Sequence, residues 1–356
     1  MGHPDDFRDV VVVLMAGGAG TRLWPLSTPS RPKHFLTELT GRSLYVQAAD
    51  RAGTLVPPQR VVVMTNEAFV GHVREQTPDI PAENVVCEPL CRDTAAAVIL
   101  AALIIERRWP GSVVVTTPSD HLIDDLGAFR ATLAVAVARA REGGLGTVGI
   151  RPTCPSTDFG YLRLAEEPSG GGAVRVEKFV EKPPRDAAEG YLATGRYLWN
   201  AGMFIWRADA LLAAARQFLP QAYEPLAALM EWFGTEAFAG RARRAFEALT
   251  PISVDYGIME KAENVWSVPA RFGWNDVGSW LAVAETMAPD ANGNRVRGPV
   301  VLDEASDNVI VTEDDHLVVV SGVKGCLIVC GPAGVLVCAA DAADRIKALV
   351  QKVHGR

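Results

Sequence analysis

No long apolar run occurs anywhere in the chain. Across its 356 residues, no stretch reaches the roughly 20 apolar residues that a membrane-spanning helix requires. The longest candidate, Ala95 to Ile105, runs straight into Glu106, Arg107 and Arg108 and reads as a buried helix. Positive charge is not in excess either. The net charge is -7, which argues against a general nucleic-acid binder, because that class carries a basic patch. A local basic pocket for phosphates stays compatible with that balance. The first ten residues carry three Asp and no apolar core, so a secretory leader is not expected.

Cysteine is scarce, at six residues: Cys87, Cys91, Cys154, Cys326, Cys330 and Cys338. The pairs Cys87/Cys91 and Cys326/Cys330 have a C-x3-C spacing, which zinc could use. Cys326, Cys330 and Cys338 sit among strand-like apolar residues, however, where free Cys serves as a small hydrophobe. A reduced, cytoplasmic protein is the better expectation.

Apolar residues are plentiful, at 49% of the chain, and charged residues make up 22%. That supports a large core, with one big domain and a smaller one. Val10 to Met15, Arg60 to Thr65, Ser112 to Thr117 and Leu145 to Ile150 are β-branched runs separated by helical segments. Such alternation predicts βαβ units and an α/β fold with a mostly parallel, doubly wound, Rossmann-like sheet. Ligands of such sheets bind at the carboxyl ends of strands. From about residue 291 the texture changes to short apolar pieces punctuated by Gly, Asn and Asp. We expect residues 1–290 to form the main domain and 291–356 a small β-helix-like module with a closing amphipathic helix from Ala339 to Val353.

The most informative string is Val10 to Leu36, VVVVLMAGGAGTRLWPLSTPSRPKHFL. A strand runs into Ala16-Gly17-Gly18-Ala19-Gly20-Thr21-Arg22. Successive amides in a glycine turn form an anion-binding concavity. The P-loop pattern is absent, and Leu23 stands where a dinucleotide fingerprint needs its third glycine. Arg22 and Lys33 flank a loop stiffened by Pro25, Pro29 and Pro32. Arg offers a planar fork for phosphate oxygens and Lys a point charge. The bland alternative is a glycine turn with two solvated cations.

Two acidic strings follow. Pro118-Ser119-Asp120-His121 lies after a probable central strand, and Trp274-Asn275-Asp276-Val277-Gly278-Ser279-Trp280 places an Asp between aromatic residues. Each Asp reads as a cap or turn residue, or as a ligand for Mg²⁺, which takes one or two carboxylates plus substrate phosphates.

The glycine string resembles the nucleotide-binding signature of sugar nucleotidyltransferases, and its Trp24-Pro25-Leu26 version resembles mannose-1-phosphate guanylyltransferases. His34 departs from the usual Gln. The acidic strings resemble that family's metal motifs, and Glu88-Pro89-Leu90-Cys91-Arg92-Asp93-Thr94-Ala95 resembles its guanine-side segment, with Asp93 in place of Asn. The resemblance implies catalytic roles for Arg22, Lys33, Asp120 and Asp276, with Mg²⁺ or a similar divalent cation on Asp120 and Asp276. It implies nucleotide binding by Ala16, Gly17, Gly18, Gly20, Thr21, Glu88, Arg92, Asp93 and Thr94. Further matching strings imply sugar-phosphate binding by Gly160, Glu181, Lys182 and Asn200.

The implied reaction is GTP plus α-D-mannose 1-phosphate giving GDP-mannose and pyrophosphate. No nucleic-acid or membrane partner is expected, and a homodimer is left open. Some relatives add a phosphomannose isomerase domain, whose activity is not expected from this sequence. Three other readings stand beside it. One is the same chemistry with another base or sugar, and one is a silent regulatory subunit. The third is a glycosyltransferase, which would show a D-x-D motif that the Asp120 string lacks.

Overall fold

The computed structural model describes residues 4–18, 20–37, 39–167, 171–313 and 316–354. The chain divides into two compact units. One comprises Met1–Gly17, Ala49–Pro118 and Ile123–Gly273; the other comprises Gly18–Ala48, Ser119–Leu122 and Trp274–Arg356.

The first unit is an α/β layer structure. Its nine strands are β1 (Val10–Ala16), β2 (Val61–Asn66), β3 (Val85–Glu88), β4 (Val113–Pro118), β5 (Leu145–Ile150), β6 (Tyr161–Leu164), β7 (Val174–Val180), β8 (Tyr197–Arg207) and β9 (Val265–Pro269). They form one sheet in the order β3-β2-β1-β4-β8-β5-β9-β7-β6. Val10 to Leu14 are all buried, because a strand covered on both faces needs a continuous apolar run rather than an alternating one. The helix Asp93–Arg108 is buried along the whole stretch Ala95 to Ile105, as an all-round apolar helix must be. Helix Leu126–Arg141 starts at Asp125, whose side chain accepts the Ala128 N–H at 2.9 Å.

The strands β3, β2, β1 and β4 are mutually parallel. The pairings across the whole sheet are mixed, and only β7 and β8 run against the common direction of the other seven strands, so the sheet is mostly parallel in direction. Strand β8 runs antiparallel to both β4 and β5, and β6 and β7 pair antiparallel. Regular strand–helix alternation ends at Ile150, and beyond it strand direction is set by the β6–β7 hairpin and the helix Arg185–Thr194. Composition carries no record of direction. On the parallel side the chain order reverses around β1, with β2 on one flank and β4 on the other. Such a switch point leaves a crevice at the carboxyl ends of the strands.

The second unit has its own core, in which Leu23, Leu26, Leu36, Trp280, Val309 and Leu327 pack together. Its strands are β10 (Arg295–Arg297), β11 (Val300–Asp303), β12 (Val309–Thr312), β13 (Val318–Ser321), β14 (Cys326–Gly331) and β15 (Gly334–Ala339). Parallel pairing joins β10 to β12, β12 to β14 and β11 to β13. Buried Asn294 and Asn308 stack at the turns. Asn308 Nδ2 donates to Asn294 Oδ1 at 3.0 Å, and Asn308 Oδ1 accepts from Cys326 N at 2.9 Å. These amides satisfy turn polar groups that burial would otherwise leave without partners. A closing helix spans Ile346–His354.

Candidate active site

In the second unit, three separate strings meet at one ammonium group. Lys33 begins a 3-10 turn, Lys33–Phe35, and its side chain is 6% exposed. Its Nζ lies 2.7 Å from Asp120 Oδ2 and donates to the main-chain oxygen of Asp276 at 2.6 Å. A buried ammonium needs such partners, because an unpaired one would lose its proton. Gly20 makes room for it. With φ at +56°, Gly20 occupies the left-handed region, and a Cβ there would stand 2.6 Å from Lys33 Cβ. Ala19 lies outside the described residues, as does the side chain of Thr21. Gly18 has open space where a side chain would project. Arg22 is exposed on the turn Thr21–Leu23 and makes no ion pair among the described residues.

Asp120 is partly open to solvent, at 36% side-chain exposure. Burial disfavours its charge, but the Lys33 ammonium, followed by His121, outweighs that and holds the carboxyl well below the usual carboxylate range. His121 Nε2 faces Asp120 Oδ1 at 3.6 Å, while its Nδ1 accepts from Trp274 Nε1 at 3.1 Å. That bond fixes the tautomer and turns the Nε2–H toward the acid. Asp276 Oδ1 accepts from Gly278 N at 3.1 Å, and Val277 is held at φ +49°. His34 is buried, with its ring centroid 4.2 Å from that of Phe35. The donor set on Asp120 and Asp276 is hard oxygen only. That composition suits Mg²⁺, which binds through one or two carboxylates and completes its shell with water and phosphate.

In the first unit, the carboxyl ends of β1, β2 and β3 gather. Thr65 Oγ1 donates to Ala16 O at 2.9 Å and Asn66 Nδ2 to Gly17 O at 3.2 Å, tying the start of the glycine string to β2. A Cβ on Gly17 would lie 3.3 Å from Glu88 Oε1. Glu88 is 7% exposed, and burial pushes its carboxyl up to about 8. Asn66 was not singled out by the sequence, where only its place after a strand hinted at a role.

The segment after β3 is built around helix Asp93–Arg108. Arg92 Nε donates to Phe246 O at 2.7 Å and its Nη2 to Glu247 O at 3.3 Å, so this guanidinium caps the end of helix Ala237–Ala248. Asp93 sits at φ +62° with Oδ1 accepting the Thr94 N–H at 2.7 Å. Thr94 Oγ1 accepts from Val254 N at 2.9 Å.

A second polar cluster forms in the same unit. Asn200, 8% exposed on β8, receives the Thr147 hydroxyl at 2.7 Å and the Gly202 N–H at 3.2 Å on its Oδ1. A Cβ on Gly160 would lie 2.3 Å from Glu181 Oε2 and 3.5 Å from Asn200 Cβ, so a side chain here would displace the Glu181 carboxylate. Lys182, at φ +44°, places Nζ 2.7 Å from Glu181 Oε1. The structure thus brings Gly160, Glu181, Lys182 and Asn200 together. It adds two acids that the sequence reading missed. Asp255 Oδ1 accepts from Asn200 Nδ2 at 2.9 Å, and Glu260 Oε1 accepts from Glu181 N at 3.0 Å. Their only signal was a pair of acids bracketing the apolar Ile258-Met259.

Residues 11–293 match the nucleotidyl transferase family. The xanthan biosynthesis protein XanB of Xanthomonas campestris pv. campestris is 36% identical over 97% of this chain and 73% of its own. Mannose-1-phosphate guanylyltransferase of Escherichia coli K12 is also 36% identical, over 96% of this chain and 73% of its own. A crystal structure from Thermus thermophilus, described as a mannose-1-phosphate geranyltransferase, superposes with a TM-score of 0.87 at 33% identity, covering 97% of this chain and 99% of that one. With residues 11–293 matched and relatives at 36% identity along nearly its whole length, the chain belongs to the nucleotidyl transferase family.

Proposed function

We propose that the chain transfers GMP from GTP to α-D-mannose 1-phosphate, giving GDP-mannose and pyrophosphate. The observation that carries the chemistry is Lys33, buried and held against Asp120 and the Asp276 main chain. The choice of base and sugar rests on the relatives, among them the E. coli guanylyltransferase. In this reading residues 1–290 carry the chemistry, and residues 291–356 form an appended β-helix-like module.

The sugar phosphate is already an anion, so no protein nucleophile is required. Its oxygen attacks the α-phosphorus in line with departing pyrophosphate, and catalysis consists of positioning and charge neutralisation. Lys33 supplies a fixed positive charge at low entropic cost, because its ammonium is already immobilised. Arg22, exposed and without an ion pair among the described residues, binds the pyrophosphate side. Lys182 receives the incoming phosphate, and Gly160, Glu181 and Asn200 receive the sugar hydroxyls. Ala16, Gly17, Gly18, Gly20 and Thr21 cradle the nucleotide, with Glu88, Arg92, Asp93 and Thr94 on the base side. Asp120 and Asp276 are the groups that hold a divalent cation, which when bound neutralises phosphate charge.

The test is chromatographic detection of GDP-mannose from GTP and mannose 1-phosphate, with and without a chelator. Cation-dependent product formation supports the reading; chelator-insensitive turnover removes the role given to Asp120 and Asp276.

A further inference from the structure

The Asn200 carboxamide has almost no freedom left. Its Oδ1 accepts from Gly202 N and lies 2.7 Å from the Thr147 hydroxyl, which also reaches Met203 O at 2.9 Å, and one Nδ2 hydrogen goes to Asp255 Oδ1. One Nδ2 hydrogen remains for a ligand. Asp255 also belongs to a crowded charge cluster. The groups facing it are Glu181, Lys182 and Asp93, and Glu260 engages the Glu181 main chain beside it. Of these groups only Lys182 is a cation, and it is the one assigned to the sugar phosphate.

We propose that Asp255 is a positioning residue that fixes the Asn200 carboxamide and couples binding of the sugar phosphate to uptake of one proton. This rests on the sugar-phosphate role given above to Lys182 and Asn200. The coupling is a linkage between ligand and proton. A phosphate dianion arriving at Lys182 adds negative charge beside a carboxylate that Glu181 already opposes. The protonated form of Asp255 is then favoured in the complex, and the proton comes from solvent onto its carboxylate. Burial, and then Glu181, already push the free carboxyl up to about 7, so the exchange falls near neutral pH.

The experiment measures KM for mannose 1-phosphate and for GTP from about pH 6.5 to about pH 8.5, for the wild type, Asp255→Asn and Asp255→Ala. In the wild type KM for the sugar phosphate rises with pH, approaching but not exceeding about tenfold per pH unit, the limit for one linked proton. Asp255→Asn keeps an acceptor for Asn200 but cannot ionise, so its KM stays flat over that range while the GTP value is unmoved. Asp255→Ala leaves Asn200 unheld and raises the sugar-phosphate KM at every pH. Retention of the wild-type slope in Asp255→Asn overturns the coupling. An unchanged sugar-phosphate KM in Asp255→Ala overturns the positioning role. Should a variant not fold, calorimetry of mannose 1-phosphate binding to the wild type in buffers of different ionisation enthalpy decides it, since zero proton uptake near pH 7.5 contradicts the proposal. Absence of wild-type turnover with GTP and mannose 1-phosphate would instead count against the function itself.

Discussion

The Lys33 ammonium stands 2.7 Å from Oδ2 of Asp120, and its partner on the other side is the main chain of Asp276. One cation thus organises both acidic strings. Lys33→Met should lower turnover by about 10²–10³-fold, the usual loss when one preorganised charge-stabilising group is removed. It should also change acid stability. The Asp120 carboxyl is depressed by Lys33, so the pair stabilises the fold above the ordinary Asp range and loses that contribution as pH falls below about 4. The melting temperature of the wild type should exceed that of Lys33→Met at neutral pH, and the gap should shrink on acidification. A gap that widens in acid contradicts the pairing.

Gly20→Ala tests the space beside that lysine. The substitution forces a Cβ to within 2.6 Å of Lys33 Cβ at a backbone angle of +56°. Left-handed backbone alone costs an L-residue about 1–2 kcal/mol, and Lys33 must also shift. Turnover should fall with a measurable drop in melting temperature. Unchanged kinetics would show that the lysine need not be held where it is.

Glu88→Gln should reveal the buried acid after β3. Burial raises its carboxyl from 4.5 to about 8, so the folded chain holds a proton that the unfolded chain releases. Stability linked to this group is full below the ordinary Glu range and is lost as pH rises toward about 8. Relative to the wild type, Glu88→Gln should therefore gain melting temperature between about pH 5 and about pH 8. A constant difference across that range means that Glu88 is ionised throughout.

Asp276→Ala should abolish most turnover, by about 10²–10³-fold, and leave the fold intact. Lys33 is held by the main-chain oxygen of Asp276, not its carboxylate, and a side-chain change spares that bond. Circular dichroism and kinetics together check this; full activity at saturating Mg²⁺ would contradict the metal role.

How much of this was legible beforehand differs between residues. Lys33, Asp120 and Asp276 stood in distinctive strings, and the glycines between β1 and Lys33 announced a tight turn. The α/β alternation was readable from β-branched runs as far as Ile150. The direction of β8 was not, because strand direction depends on the connections rather than on composition. Asp255 and Glu260 stayed hidden because an acid beside a short apolar piece has the same appearance whether solvated or folded against a buried amide. Arg92 shows the opposite difficulty. The resemblance gave it the base side, and only the fold reveals that its guanidinium also donates to the carbonyls of Phe246 and Glu247.

Pyrophosphate release from purified protein with Mg²⁺, across a grid of nucleoside triphosphates and sugar 1-phosphates, decides whether the chain is a guanylyltransferase. A strong signal is expected for GTP with mannose 1-phosphate and weak signals elsewhere. A maximum at another pair would keep the mechanism and move the substrate, and silence across the grid, beside a working control enzyme, would contradict the account.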